Sequence, residues 1–206
     1  MPVIAAIVAV VAAYLIGSVS GSLLLAPMFG QEDVRASGSG NAGATNALRA
    51  GGRGYGLAVL VFDIVKGAFA AGFVPILLHA YGPWPFVCGI AAILGHIYPV
   101  FYSFRGGKGA ATCIGVLAVL LPGSLLFGAA VWIAVLVASG YVGLATMLGM
   151  VGVAIASFFV PGVPTAGHLF VVVASVLIVY THRGNITRMR AGEENRFERA
   201  RLWRRR

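Results

Sequence analysis

The residues from Ser37 to Arg49 read Ser-Gly-Ser-Gly-Asn-Ala-Gly-Ala-Thr-Asn-Ala-Leu-Arg, with Gly38, Gly40 and Gly43 set among small hydroxyl and amide side chains. Glycine at that density lets the backbone turn its N–H groups into one concavity, a shape suited to an anion. Ser39, Asn41, Thr45 and Asn46 add hydrogen-bonding groups, and Arg49 adds a fixed positive charge. This is the chemistry of a phosphate cradle, although a flexible linker can have the same composition. No Gly-Lys-Ser/Thr follows the glycines, which excludes a Walker A loop, and the pattern does not match a Gly-x-Gly-x-x-Gly turn opening from a strand.

Two later stretches carry similar groups. The first runs from Gly95 to Gly109 and contains His96, Arg105, Gly106, Gly107 and Lys108. Pro99 breaks the apolar run ahead of it, and the diglycine permits a sharp turn. Lys108 is thereby presented at the start of the next helix, whose free N–H groups also favour an anion. His96 has two readings, a ligand to that anion or a partly buried histidine packed against Tyr98. The second stretch, Thr181 to Arg196, places His182 and Asn185 one helical turn apart if a helix continues through Gly184. Ser139-Gly140-Tyr141 marks a further polar break between apolar runs.

The elements that must position these groups are membrane helices. The chain has 206 residues, 59% hydrophobic and 10% charged, with a mean hydropathy of +0.92, outside the range of a soluble domain. Apolar runs predict an all-α polytopic bundle of about seven transmembrane helices, over roughly 3–27, 54–79, 84–101, 108–121, 123–139, 141–160 and 165–181. The fourth is short for a bilayer and the fifth marginal. No Lys or Arg precedes Arg35, so the apolar start is read as a first membrane helix rather than a cleaved signal. The turns around 81–85, 122–124 and 161–165 carry no charge, whereas Arg35, Arg49, Arg53, Arg105, Lys108 and the residues from Arg183 onward occupy the other loops. The positive-inside bias then places the N-terminus outside, the C-terminus in the cytoplasm, and the three motif-bearing loops on the cytoplasmic face.

The net charge of +9 does not indicate nucleic acid, because the basic residues flank apolar spans instead of forming a soluble face. Cys88 and Cys113 lie in apolar surroundings without metal-site spacing and read as small buried side chains. Asp63 and Lys66, three apart in the second span, share a helix face near the bilayer middle, as a structural ion pair or as a relay. One domain is expected over 1–196, followed by a basic cytoplasmic tail over 197–206. The stretch from Arg196 to the end carries six arginines with Phe197, Leu202 and Trp203 interleaved, suited to anionic headgroups or to a disordered tail.

Taken together, the three motifs resemble, in order, those of the bacterial membrane acyltransferases that use acyl phosphate to acylate glycerol 3-phosphate. Ser39 to Asn46 with Arg49 is similar to that family's first motif. Gly95 to Phe101 with Gly106 to Gly109 is similar to its second, and His182 to Asn185 to its third, with Asp63-x-x-Lys66-Gly67 alike as well. The resemblance covers the chain through about Arg196. It implies a seven-helix integral enzyme of the bacterial inner membrane, with its site at the cytoplasmic edge, making lysophosphatidic acid and phosphate for phospholipid synthesis. Ser39, Lys108, His182 and Asn185 are the implied catalytic residues. Gly40, Asn41, Gly43, Thr45, Asn46, Arg49, His96, Gly106, Gly107 and Ser139 are the implied substrate-binding ones. The implied partners are glycerol 3-phosphate, acyl phosphate and membrane lipid, without nucleic acid and without a metal or other cofactor.

The residue types suit that chemistry, since an acyl phosphate is a mixed anhydride that a hydroxyl can attack directly, and the enzyme must mainly bring two anions together. No His-x-x-x-x-Asp follows any histidine, which argues against the thioester-using acyltransferases, and there is no acidic cluster for Mg²⁺. The attacking hydroxyl's proton goes either to His182 or to the phosphate of a bound substrate. The latter is favoured because no carboxylate is available on this face to orient the histidine, Glu193 and Glu194 being the only near candidates. An anion transporter is the alternative, but it would place polar groups at mid-membrane and on both sides of it.

Overall fold

The computed structural model describes residues 2–197, all helical or irregular with no strand among them. The expected basic tail beyond Phe197 lies outside the described residues. The chain divides into two compact units, the first through Leu120 and the second from Leu121.

The first unit contains α1 (Pro2–Ser18), α2 (Gly21–Leu25), α3 (Ala44–Ala68), α4 (Val74–Leu77), α5 (Trp84–Ile97) and α6 (Ala110–Leu120). Its helices meet through glycine. A Cβ on Gly17 would strike the carbonyl of Ala92, and one on Gly95 that of Tyr14, so α1 and α5 pack backbone to backbone. Gly67 against the Thr112 carbonyl and Gly115 against that of Ile64 do the same for α3 and α6. Small residues at such contacts gain dispersion where apolar burial offers little, as expected between helices in lipid.

Three breaks shape this unit. The chain bends by 47° between α1 and the segment that starts at Gly21. Gly52, at φ 81°, interrupts α3, separating a short N-terminal piece that carries the first motif from the long apolar helix that follows. Pro75 withdraws one N–H from the helical ladder, and a π turn over Phe69–Phe73 precedes it.

The second unit contains α7 (Pro122–Ser139), α8 (Val142–Ser157), α9 (Thr165–Thr181) and α10 (Arg183–Arg190), the last bent by 48° from α9. Here Gly128 lies against Val153 and Gly149, again at a distance that leaves no room for a side chain.

Among the described residues, three helices are long and apolar enough to cross a bilayer, over Ala44–Leu77, Trp84–Tyr102 and Pro122–Ser139, and the two bent pairs raise that to five. α6 and α8 are apolar but shorter, α6 having 11 residues, roughly 16 Å at the helical rise, against a hydrocarbon core of about 30 Å. The fourth run is therefore short, as expected, whereas the fifth is a full 18 residues and the sixth falls below that. Large apolar side chains such as Leu126 (73% exposed) and Val176 (64%) face outward, an arrangement suited to lipid and not to water.

Candidate active site

The first motif forms a closed turn that leads into α3. Gly38 and Gly40 both take positive φ, 60° and 70°, and a Cβ on Gly38 would also strike the Asn46 side chain. Asn46 is buried and organises the loop: its Oδ1 accepts from the Ser39 N–H at 3.0 Å, while its Nδ2 donates to the carbonyls of Val34 (2.8 Å), Ser37 (3.0 Å) and Asn41 (3.1 Å). The amide group expected to face a ligand is thus committed to the loop's own backbone. Asn41 donates to the Ser39 carbonyl at 2.9 Å and to its hydroxyl at 3.2 Å. Gly43 caps α3 without a side-chain bond, so the first-turn N–H groups are not covered by a capping side chain. Thr45 and Arg49 are exposed on the first turns, with Ser39 half-buried beside them, and Arg49 has no ion pair among the described residues.

The second motif folds against the first. After α5 the chain turns back, Gly106 N–H donating to the Ile97 carbonyl at 3.2 Å and Gly107 N–H to that of His96 at 3.1 Å. The Ala42 N–H in turn donates to the Gly106 carbonyl at 3.3 Å, which joins the two glycine-rich segments directly. Lys108, partly exposed, then precedes α6.

Arg35 secures this arrangement. Its Nη1 donates to the carbonyls of Tyr102 (3.1 Å) and Arg105 (3.0 Å), while Nε and Nη2 grip the Asp33 carboxylate, the shortest contact being 2.6 Å. The hydrogen bond from Arg35 holds the Asp33 carboxyl below the ordinary carboxylate range, and Asp33 raises the Arg35 guanidinium in return. The sequence shows Arg35 only as a loop charge; the signal for its role is the Asp-x-Arg spacing just ahead of the glycines.

Beneath the glycines, Asp63 and Lys66 form the ion pair expected from their spacing, at 2.8 Å and buried. His96 joins them. Tyr98 is not its hydrogen-bonding partner: the His96 Nδ1 lies 3.0 Å from Lys66 Nζ and 3.6 Å from Asp63 Oδ1.

The second unit carries its own polar cluster. Gly140, at φ 77°, ends α7, and the Ser139 hydroxyl donates to the Val135 carbonyl at 2.7 Å and accepts from the Tyr141 N–H at 3.1 Å. Ser139 therefore shapes the α7–α8 turn. His182 ends α9, with Nδ1 2.7 Å from the Ile178 carbonyl. A carbonyl only accepts, so Nδ1 carries a proton and donates it there. The helix does resume after His182, at Arg183, and brings Asn185 to the next turn.

Asn185 Nδ2 donates to Glu194 Oε1 at 2.8 Å, and Arg188 Nε to Glu194 Oε2 at 2.7 Å. The carboxylate considered for orienting His182 thus holds Asn185 and Arg188, and a backbone carbonyl orients the histidine. Gly143 makes room for Asn185, since a Cβ there would come within 2.8 Å of its Nδ2. Arg196 donates to the Tyr141 hydroxyl at 2.8 Å and lies over its ring, while the Phe197 N–H reaches the Gly140 carbonyl. Neither contact is legible from the linear sequence.

A family model described as glycerol-3-phosphate acyltransferase matches residues 7–192. The chain belongs to the glycerol-3-phosphate acyltransferase family. It is 39% identical over 189 residues to the glycerol-3-phosphate acyltransferase of Aquifex aeolicus, covering 91% of this chain and 97% of that one. Identity to the Rhizobium meliloti protein of the same name is 43% over 183 residues, covering 89% and 88%. Its fold matches the crystal structure of PlsY (YgiH), an integral membrane glycerol 3-phosphate acyltransferase, in the glycerol 3-phosphate form, with a TM-score of 0.86 and 38% identity over 93% of this chain and 95% of that one. The lysophosphatidic acid form matches at a TM-score of 0.84. With several apolar helices and this relationship, the family member described here is an acyltransferase and a multi-pass membrane protein.

Proposed function

We propose that this acyltransferase transfers an acyl group from acyl phosphate to the 1-hydroxyl of glycerol 3-phosphate, releasing lysophosphatidic acid and inorganic phosphate. The observation that carries the reading is the seam between the two glycine-rich segments, where Ala42 meets Gly106 with Arg49 and Lys108 on the same motifs. Such a seam suits phosphoryl groups, because the two cations and the first-turn N–H groups of α3, which no side chain caps, offset their charge without needing a metal.

The glycerol oxygen attacks the acyl carbon, forming the new ester C–O bond as the C–O bond to phosphate breaks. The hydroxyl proton passes to the phosphate of a bound substrate, so no covalent acyl-enzyme is required. Ser39, Gly40, Asn41, Gly43, Thr45, Arg49, Gly106, Gly107 and Lys108 bind and orient phosphate in the first unit. In the second, His182 and Asn185 address the acceptor, supported by the Glu194 bridge, and Ser139 acts through its turn. Asn46 is a positioning residue. The basic-loop asymmetry supports a site at the cytoplasmic face of the bacterial inner membrane.

Lys108→Ala tests the cradle. It should leave a folded protein with near-complete loss of turnover; a variant retaining wild-type kcat/KM would remove the lysine from the mechanism.

A further inference from the structure

Residues Tyr102 to Arg105 make a tight turn in which the Arg105 N–H donates to the Tyr102 carbonyl at 3.2 Å. Both central residues are left-handed, Ser103 at φ 55° and Phe104 at φ 58°. A turn with that backbone is ordinarily built from Asn and Gly, because a Cβ crowds the following carbonyl when φ is positive. A bulky aromatic side chain there is an outlier.

Arg35 holds this turn closed. Its Nη1 donates to the carbonyls of Tyr102 and Arg105, the two residues that bracket the strained pair, and the Phe104 N–H is fixed on the Pro99 carbonyl at 3.0 Å. The ring gains little packing within the chain in return, since Phe104 is 57% exposed. Phe101, three residues earlier, is 58% exposed. Strain maintained at a residue whose side chain the fold does not cover points to a role outside the chain.

Gly106 follows two residues later and its carbonyl accepts the Ala42 N–H, so the Phe104 Cα lies within about 7 Å of the Gly106 Cα at the seam of the two motifs. A donor whose phosphate sits at that seam is an amphiphile, and its hydrocarbon chain needs apolar surface directly beside the polar one. Anchoring in the bilayer interface is served by Trp and Tyr, whose rings end in a polar group. Phenylalanine has none, which favours contact with a hydrocarbon chain.

We propose that Phe104 is a substrate-binding residue for the acyl donor, its ring held out by the strained turn to receive the first methylenes of the acyl chain, with Arg35 as the positioning residue. The inference rests on the function proposed above, which places the phosphate end of the donor, and names what holds the other end.

Initial rates on the full chain in detergent test it, with a long-chain acyl phosphate and glycerol 3-phosphate varied separately. Phe104→Asn suits the left-handed backbone and removes the apolar surface, whereas Phe104→Leu keeps both the surface and the strain. Phe104→Asn should melt no lower than wild type and raise KM for the acyl phosphate roughly tenfold, the loss expected for about 55 Å² of apolar contact, with KM for glycerol 3-phosphate within about twofold. Phe104→Leu should stay within about threefold of wild type for both substrates. An acyl phosphate KM within threefold of wild type in Phe104→Asn overturns the proposal. An equal rise in both KM values, or a fall in melting temperature, also overturns it, because the ring then serves the loop's own structure. An effect seen in lipid vesicles but absent in detergent overturns it as well and assigns the ring to the bilayer. If the wild type turned over acyl-CoA and not acyl phosphate, the proposed donor would fail, and the same series run on acyl-CoA would still decide the role of the ring.

Discussion

Replacing Arg35 separates a loop-holding role from a charge-presenting one. Its guanidinium spans two carbonyls, of Tyr102 and Arg105, while gripping Asp33, and this strap ties the approach to the first motif to the turn before the second. Lysine keeps the charge but offers donors from a single nitrogen, which cannot reach both carbonyls and the carboxylate together. Charge-assisted bonds to a carbonyl are worth about 1.5–3 kcal/mol each when well shielded. The Arg35 side chain is 20% exposed, so about 1 kcal/mol each is the appropriate discount. Losing two costs about 2 kcal/mol, a factor of about 30 in the population of ordered loops. Arg35→Lys should therefore raise KM for glycerol 3-phosphate about 10- to 30-fold with kcat nearly unchanged, read from initial rates across acceptor concentration. A KM within twofold of wild type, or a loss confined to kcat, would refute the strap.

Asn46→Asp is nearly isosteric but turns a carboxylate oxygen toward three carbonyls, and should cost about 2 kcal/mol or more, seen as a lower melting temperature and weaker glycerol 3-phosphate binding. Because the Asp33 pKa is lowered on folding, its contribution is complete above the unfolded value of about 3.9 and is lost only as pH falls through the folded one. The strap should thus leave KM flat between pH 5 and 8, and an acid rise in KM within that window that disappears in Asp33→Asn would contradict the assignment. His182→Gln should reduce kcat by less than about tenfold if substrate phosphate takes the proton. A loss of about 10²- to 10⁴-fold with unchanged binding would make His182 the base.

Much of the fold was legible because apolar length is a strong signal. The long run after Arg53 begins just beyond the Gly52 break in α3, and the short fourth run is the 11-residue α6. Helix contacts through Gly17, Gly67 and Gly95 were not legible, since a glycine in an apolar run does not announce which backbone it meets. The motif residues were found by type, but type does not reveal direction. Asn46 and Ser139 looked like ligand donors and instead bind their own loops. Arg35 looked like a topology marker and is a strap. By sequence Glu194 is a candidate partner for His182, yet it holds Asn185 and Arg188, because contacts made after the α10 turn depend on where the returning chain lies.

The donor decides the account most directly. Purified protein in detergent, given labelled glycerol 3-phosphate with either acyl phosphate or acyl-CoA, should form lysophosphatidic acid with acyl phosphate and little or none with acyl-CoA. Equal rates with the two donors, or product from acyl-CoA alone, would contradict it.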